Sequence, residues 1–164
     1  MPSEDGRKWA LVNGELVPKS SPTPFPQRIV QDVIYAFMNH LSAHPNQGES
    51  LIDIEFALSP DHRVRPDVLV LGPEFIARLD VRKTSVIGAP DLAVEIISPS
   101  KRAGETQAKL LSYLRFGTSE VWQVYPELRT IVVHRHGRSE TVTSGALTSP
   151  LLPGFSLEVD RVFA

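Results

Sequence analysis

The chain has 164 residues, 41% hydrophobic and 22% charged, a balance that fits one compact domain over 1–164 and excludes low-complexity or repeat architecture. The absence of cysteine excludes a disulfide scaffold and a thiolate metal site, so any metal must be held by carboxylates, imidazoles or carbonyls. A formal net charge of −2 lacks the basic footprint of a dedicated nucleic-acid binder, and no apolar run approaches the roughly 18 residues that span a membrane.

The N-terminus, MPSEDGRKWA, has no signal-peptide core; residues 1–8 are expected to be flexible and the location cytoplasmic. Asn13-Gly14, between the short apolar runs of KWALVNGELVP, predicts an N-terminal hairpin followed by a proline-rich loop. From Phe25 to Leu41, Phe25, Ile29, Val30, Val33, Ile34, Phe37, Met38 and Leu41 recur at spacings of three and four, which predicts an amphipathic helix. HPNQGES breaks it. In SLIDIEFALS the residues Ile52, Ile54, Phe56 and Leu58 alternate with Asp53, Glu55 and Ala57, which reads as one half-exposed strand.

VRPDVLVL is expected to be a strand, GPEFIARLDVRKTSVIGAP a polar connection, and DLAVEIIS a central strand covered on both faces. GETQAKLLSYLRFG then reads as a helix with Ala108, Leu111, Tyr113 and Leu114 on its inner side and Gly117 at its end. EVWQVYP, RTIVVHRH and ETVTS add strands, and LLPGFSLEVDRVF closes the chain with a loop and a short element. The order predicts a mixed-sheet α/β (α+β) domain, with strands such as TIVVHRH able to pair across a homodimer.

Strand alternation places Asp91, Ala93, Glu95 and Ile97 on one face of DLAVEIIS, so Glu95 lies among apolar neighbours. A buried carboxylate must be protonated, ion-paired or metal-bound. Asp67 opens the strand RPDVLVL directly after Pro66, where an aspartate often satisfies a turn. If the two strands pair in register, Asp67 and Glu95 stand side by side, and a cation between them would relieve their repulsion. Oxygen-only ligands favour Mg²⁺ or Mn²⁺, which bind through one or two carboxylates plus substrate phosphate. Lys109, on the following helix, is the candidate positive group, although its spacing alone fits an ordinary surface lysine. Local basic groups occur in RLDVRK, SKR and HRHGR, each readable as solvated surface charge.

The succession NGELVPKSSP, RPDVLVL, GAPDLAVEIISPS, KLLSYLRFGTSEVWQVYP and LLPGFSLEV resembles the Uma family, a bacterial domain of unknown function in the PD-(D/E)XK restriction-endonuclease-like superfamily. The resemblance runs from about Gly14 to Phe163. It implies a restriction-endonuclease-like mixed sheet flanked by helices, with a divalent metal held by Asp67 and Glu95 and a catalytic role for Lys109. The superfamily lysine two residues after the acid is here Ile97, so Lys109 takes its place from the helix. Pro26 and Glu105 depart from the family's usual His and Asp, Glu15 matches a frequent acid in a hairpin, and Asp91 is expected to serve a turn.

The resulting expectation is an Mg²⁺-dependent endonuclease that hydrolyses phosphodiester bonds, with DNA as the nucleic-acid partner. The alternative is an inactive nuclease-fold module that binds nucleic acid or a protein.

Overall fold

The computed structural model describes residues 9–12, 14–18 and 23–164; the flexible segment expected at 1–8 lies outside the described residues. The expected hairpin is present as β1 (Trp9–Val12) and β2 (Glu15–Pro18), paired antiparallel with Val12 opposite Glu15, and Gly14 at φ +81° supplies the left-handed turn position. Helix α1 (Pro24–Ala43) starts with proline in its first turn, where no backbone donor is lost, and stops before Pro45. Its buried stripe is Ile29, Val33, Phe37 and Leu41, four residues apart along one face.

The segment expected as one strand is two, β3 (Glu49–Ile52) and β4 (Glu55–Ser59). They belong to different sheets. Asp53 lies between them at φ +52°, a left-handed conformation that aspartate tolerates better than most residues, and the bend sends the chain out of the first sheet. Then come β5 (His62–Val64) and β6 (Val68–Leu71). The expected polar connection contains a one-turn helix, α2 (Pro73–Ile76), and β7 (Ser85–Ile87) before β8 (Leu92–Ile96). Helix α3 (Ala103–Arg115) leads to β9 (Glu120–Tyr125), β10 (Thr130–Arg135) and β11 (Arg138–Val142). The chain closes with β12 (Ala146–Leu147), β13 (Leu157–Glu158) and the short helix α4 (Val159–Val162).

The main sheet has the order β11-β10-β9-β8-β6-β3, and β8 and β9 are its parallel pair, joined by α3. A parallel pair needs such a crossover because no tight turn can return the chain to the same end. All five residues of β8 are buried, as its near-continuous apolar run predicts. One face of the sheet packs on α1 and the C-terminal segment, with Val94, Trp122, Ile131, Phe155 and Val162 in that core. Phe37 anchors it through ring contacts to Trp122 at 5.4 Å and Phe155 at 5.0 Å. The other face carries Leu69, Ala93 and Val121 against Leu110 and Tyr113 of α3 and Phe56 and Phe75 beyond. Those last two accompany a small second sheet of order β5-β4-β7.

Helix α3 keeps the expected face only in part, with Tyr113 and Leu114 turned inward. Leu110 and Tyr113 are buried, whereas Leu111 is 57% exposed and Ala108 is exposed. The inner stripe includes the polar Thr106 and Lys109, so its apolar residues alone do not mark it. Gly117 at φ +108° ends the helix as expected, with Thr118 N–H donating to Tyr113 O and Gly117 N–H to Leu114 O. That pair of bonds satisfies two of the last carbonyls of α3.

Candidate active site

Strands β6 and β8 run antiparallel with Val68 opposite Val94, Leu69 opposite Ala93 and Val70 opposite Leu92. One further step in that register sets Asp67 opposite Glu95. The chain is pinned there by Asp67 N–H, which donates to Val94 O at 3.1 Å, and by Ile96 N–H, which donates to Asp67 Oδ2 at 2.7 Å. Strand β9 lies on the other side of β8, with Gln123 opposite Glu95. Asp67, Glu95 and Gln123 therefore form a polar row across three strands whose other residues on that face are apolar.

Glu95 is 4% exposed and its two oxygens have separate partners. Tyr113 Oη donates to Oε1 at 2.7 Å, and Lys109 Nζ lies 3.4 Å from Oε2. Lys109 and Tyr113 are one helical turn apart, so both reach the same carboxylate from α3. A third group arrives from the β8–α3 connection: Lys101 Nζ is 4.0 Å from Oε2 and donates to Ile96 O at 2.5 Å. Burial pushes the Glu95 carboxyl above its ordinary range, opposed by the Lys109 charge and the Tyr113 hydrogen bond, while the nearby Asp67 charge adds to the rise. Burial, and then the charge of Glu95, push the Tyr113 phenol far up, so it stays a donor.

Glu95 looks into a cleft of about 140 Å³ lined also by Ile97, Lys101, Glu105, Lys109 and Gln123. The position two residues after the acid therefore contributes Ile97 as apolar wall, and the cations come from the loop and helix that follow. Asp67 is not part of this wall; it flanks Glu95 from the neighbouring strand. Gln123 is held from behind, its Oε1 accepting from His134 Nε2 at 2.7 Å and from Tyr125 Oη at 3.3 Å. His134 is kept toward its neutral form by burial, and Ser139 Oγ lies 2.9 Å from its Nδ1.

The remaining sequence candidates fall elsewhere. Glu15 is exposed on the hairpin. Asp91 Oδ2 accepts from Gly72 N–H at 2.6 Å and fixes the chain ahead of α2, the backbone role expected of it. Of the basic groups, SKR supplies Lys101 to the site, HRHGR reaches it only through His134, and Arg78 of RLDVRK packs over Phe75. Sequence reasoning did not single out Lys101, Gln123 or the hydrogen-bonding role of Tyr113. The four-residue spacing from Lys109 to Tyr113 was the usable signal; nothing in the sequence places Lys101 or Gln123 beside Glu95.

The donor set suits a divalent cation of the Mg²⁺ type. No cluster of three or more His, Asp or Glu side chains occurs among the described residues. The carboxylates of Asp67 and Glu95 and the main-chain oxygen of Ile96 offer hard oxygen ligands only, and such ions bind through one or two carboxylates while keeping waters.

A mixed sheet with an acidic row on its central strands and helices on both faces defines a restriction-endonuclease-like fold. The chain is similar, with a TM-score of 0.77 and 20% identity over 93% of its own length and 88% of the other, to a crystal structure of a "putative nuclease belonging to DUF820 from Anabaena variabilis ATCC 29413". The family model Uma2, described as "Putative restriction endonuclease", matches residues 1–160, and the chain belongs to that family. Comparison with curated proteins finds no match. Among the described residues no helix is long and apolar enough to cross a membrane.

Proposed function

We propose that this protein is a metal-dependent nuclease that hydrolyses phosphodiester bonds, with DNA as substrate. The observation that carries the reading is Glu95: a carboxylate buried in a central strand, open to a cleft, and approached by Lys109 at 3.4 Å. Asp67 and Glu95 would hold Mg²⁺ or Mn²⁺, which when bound supplies a Lewis acid and an acidified water. Family membership supports the same reaction class.

In this reading each residue has a separate task. Tyr113 keeps Glu95 Oε1 in place, leaving Oε2 to face the cleft. Asp67 is oriented by the Ile96 amide. Lys109, carried on a helix packed against the sheet, places an ammonium where negative charge develops on the phosphate oxygens. Gln123, braced by His134 and Tyr125, forms the cleft wall beyond Glu95. The placement of Asp67 outside that wall favours the alternative reading, a nuclease-fold module that binds nucleic acid without cutting it.

Purified protein incubated with plasmid DNA and Mn²⁺ or Mg²⁺ decides between them. Wild type is expected to cleave only with metal, and Asp67→Ala, Glu95→Ala and Lys109→Met to lose about 10²-fold or more. Cleavage by Asp67→Ala and Glu95→Ala equal to wild type would overturn the assignment, and metal-independent binding without cleavage would support the alternative.

A further inference from the structure

Two ammonium groups surround a single buried carboxylate. Lys109 Nζ is 3.4 Å and Lys101 Nζ 4.0 Å from the same Glu95 Oε2. The two differ in how they are held. Lys109 stands on helix α3, which packs against the sheet, and its side chain is 38% exposed. Lys101 belongs to a surface turn, where its own N–H donates to Ser98 O and the Ser98 and Ser100 hydroxyls lie 3.0 Å apart. Its side chain is 36% exposed. Its path into solvent is open once its contacts are broken.

The second contact of Lys101 is the more informative. Its Nζ donates to Ile96 O at 2.5 Å. Along a strand, the N–H and C=O of one residue point to the same side, and the Ile96 N–H is directed at Asp67 Oδ2. Ile96 O therefore faces the Asp67 side of β8, and a cation near Asp67 and Glu95 lies on that side too. Lys101 Nζ thus lies beside two of the three groups that suit a divalent ion.

We propose that Lys101 is a built-in competitor for the divalent cation: its ammonium occupies the Ile96–Glu95 position in the metal-free protein and is displaced when the ion binds. This rests on the metal-dependent reading above. Displacement leaves Lys101 on the rim of the cleft, where its charge meets the backbone phosphates of a nucleic acid. Metal arrival and phosphate recruitment are then linked through one side chain. The lysine also offsets the repulsion between Asp67 and Glu95 before the ion is present.

Direct Mn²⁺ titration, followed by the electron paramagnetic resonance of the free ion, tests the proposal with wild type, Lys101→Met, Arg102→Met and Asp67→Asn. Lys101→Met is expected to bind Mn²⁺ about tenfold more tightly, because a charge-assisted hydrogen bond no longer has to be broken. Arg102→Met, which removes an exposed neighbouring charge, is expected to change the affinity by less than about twofold, since solvent screens that site. In wild type, acetylation of Lys101 followed by mass spectrometry is expected to speed up severalfold on adding Mg²⁺, with exposed Lys83 as internal reference. Equal or weaker binding by Lys101→Met, while Asp67→Asn abolishes binding, would overturn the competition and leave the metal site standing. So would an equal gain in Arg102→Met or unchanged acetylation of Lys101. Absence of Mn²⁺ binding in every protein would instead overturn the metal-dependent reading itself.

Discussion

Glu95 is retained at a cost to folding. Burial favours its neutral acid, and Lys109 and Tyr113 only partly restore the charged form, so its folded-state pKa lies above the unfolded one. A carboxyl shifted upward contributes stability that is fully present below its unfolded pKa and is lost as pH rises through its folded pKa. Glu95→Gln is neutral at every pH and can still accept from Tyr113. Without divalent cation it is expected to be more stable than wild type by about 1 kcal/mol at neutral pH, as is common when a functional strain is removed. Thermal melts should show that gap closing as pH falls toward about 4, the ordinary glutamate range. A Gln variant that melts below wild type at neutral pH would mean that Lys109 and Tyr113 fully offset the burial.

At the scale of elements, the decisive local feature is the bend at Asp53. It divides a continuous alternating pattern into β3, which pairs with β6 in the main sheet, and β4, which pairs with β5 and β7. Alternation holds in β4, where Phe56 and Leu58 are buried, but Ile52 at the end of β3 is exposed; the backbone conformation between the two strands was not visible in the pattern. Asp53→Val is expected to cost about 1–2 kcal/mol, because a β-branched side chain is poorly accommodated at positive φ. Asp53→Asn should stay within about 0.5 kcal/mol, since its ion pair with Arg65 at 3.6 Å joins two largely exposed groups. Urea midpoints measure both; equal destabilisation by Val and Asn would assign the effect to the charge and not to the bend. Helix α3 teaches a related lesson. Its inner stripe includes a lysine because a carboxylate waits on the sheet, so hydrophobicity misjudges the face where the site lies.

Across the whole molecule, a second buried carboxylate shows what a structural acid looks like here. Glu120 is 1% exposed and fully enclosed: Trp122 Nε1 donates to it at 2.6 Å, Ser149 Oγ at 2.9 Å, and Arg135 Nη2 lies 3.4 Å away. It joins β9 to β10 and to the C-terminal loop. Glu120→Ala would leave the buried Trp122 Nε1 without its acceptor and Arg135 with Glu140 as its ionic partner, and is expected to cost about 3–5 kcal/mol, read from urea unfolding. A cost below about 1 kcal/mol would contradict that role. Glu95 has as many partners, two of them lysines, but it faces a cavity, and that opening separates a site acid from a scaffold acid better than burial does.

Much of this was legible in the amino-acid order: α1, the main-sheet strands apart from the limits of β3, the end of α3 at Gly117, and the anomaly of acids at Asp67 and Glu95 in apolar runs. These depend on local periodicity and on the cost of burying a charge, which operate within a few residues. The meeting of Glu95 with Lys101, Lys109, Tyr113 and Gln123 depends instead on the register of β6 against β8, the parallel placement of β9, and the angle at which α3 returns over the sheet. Those are set by long-range packing on both faces, so only the tertiary structure could decide which cations stand beside the acid.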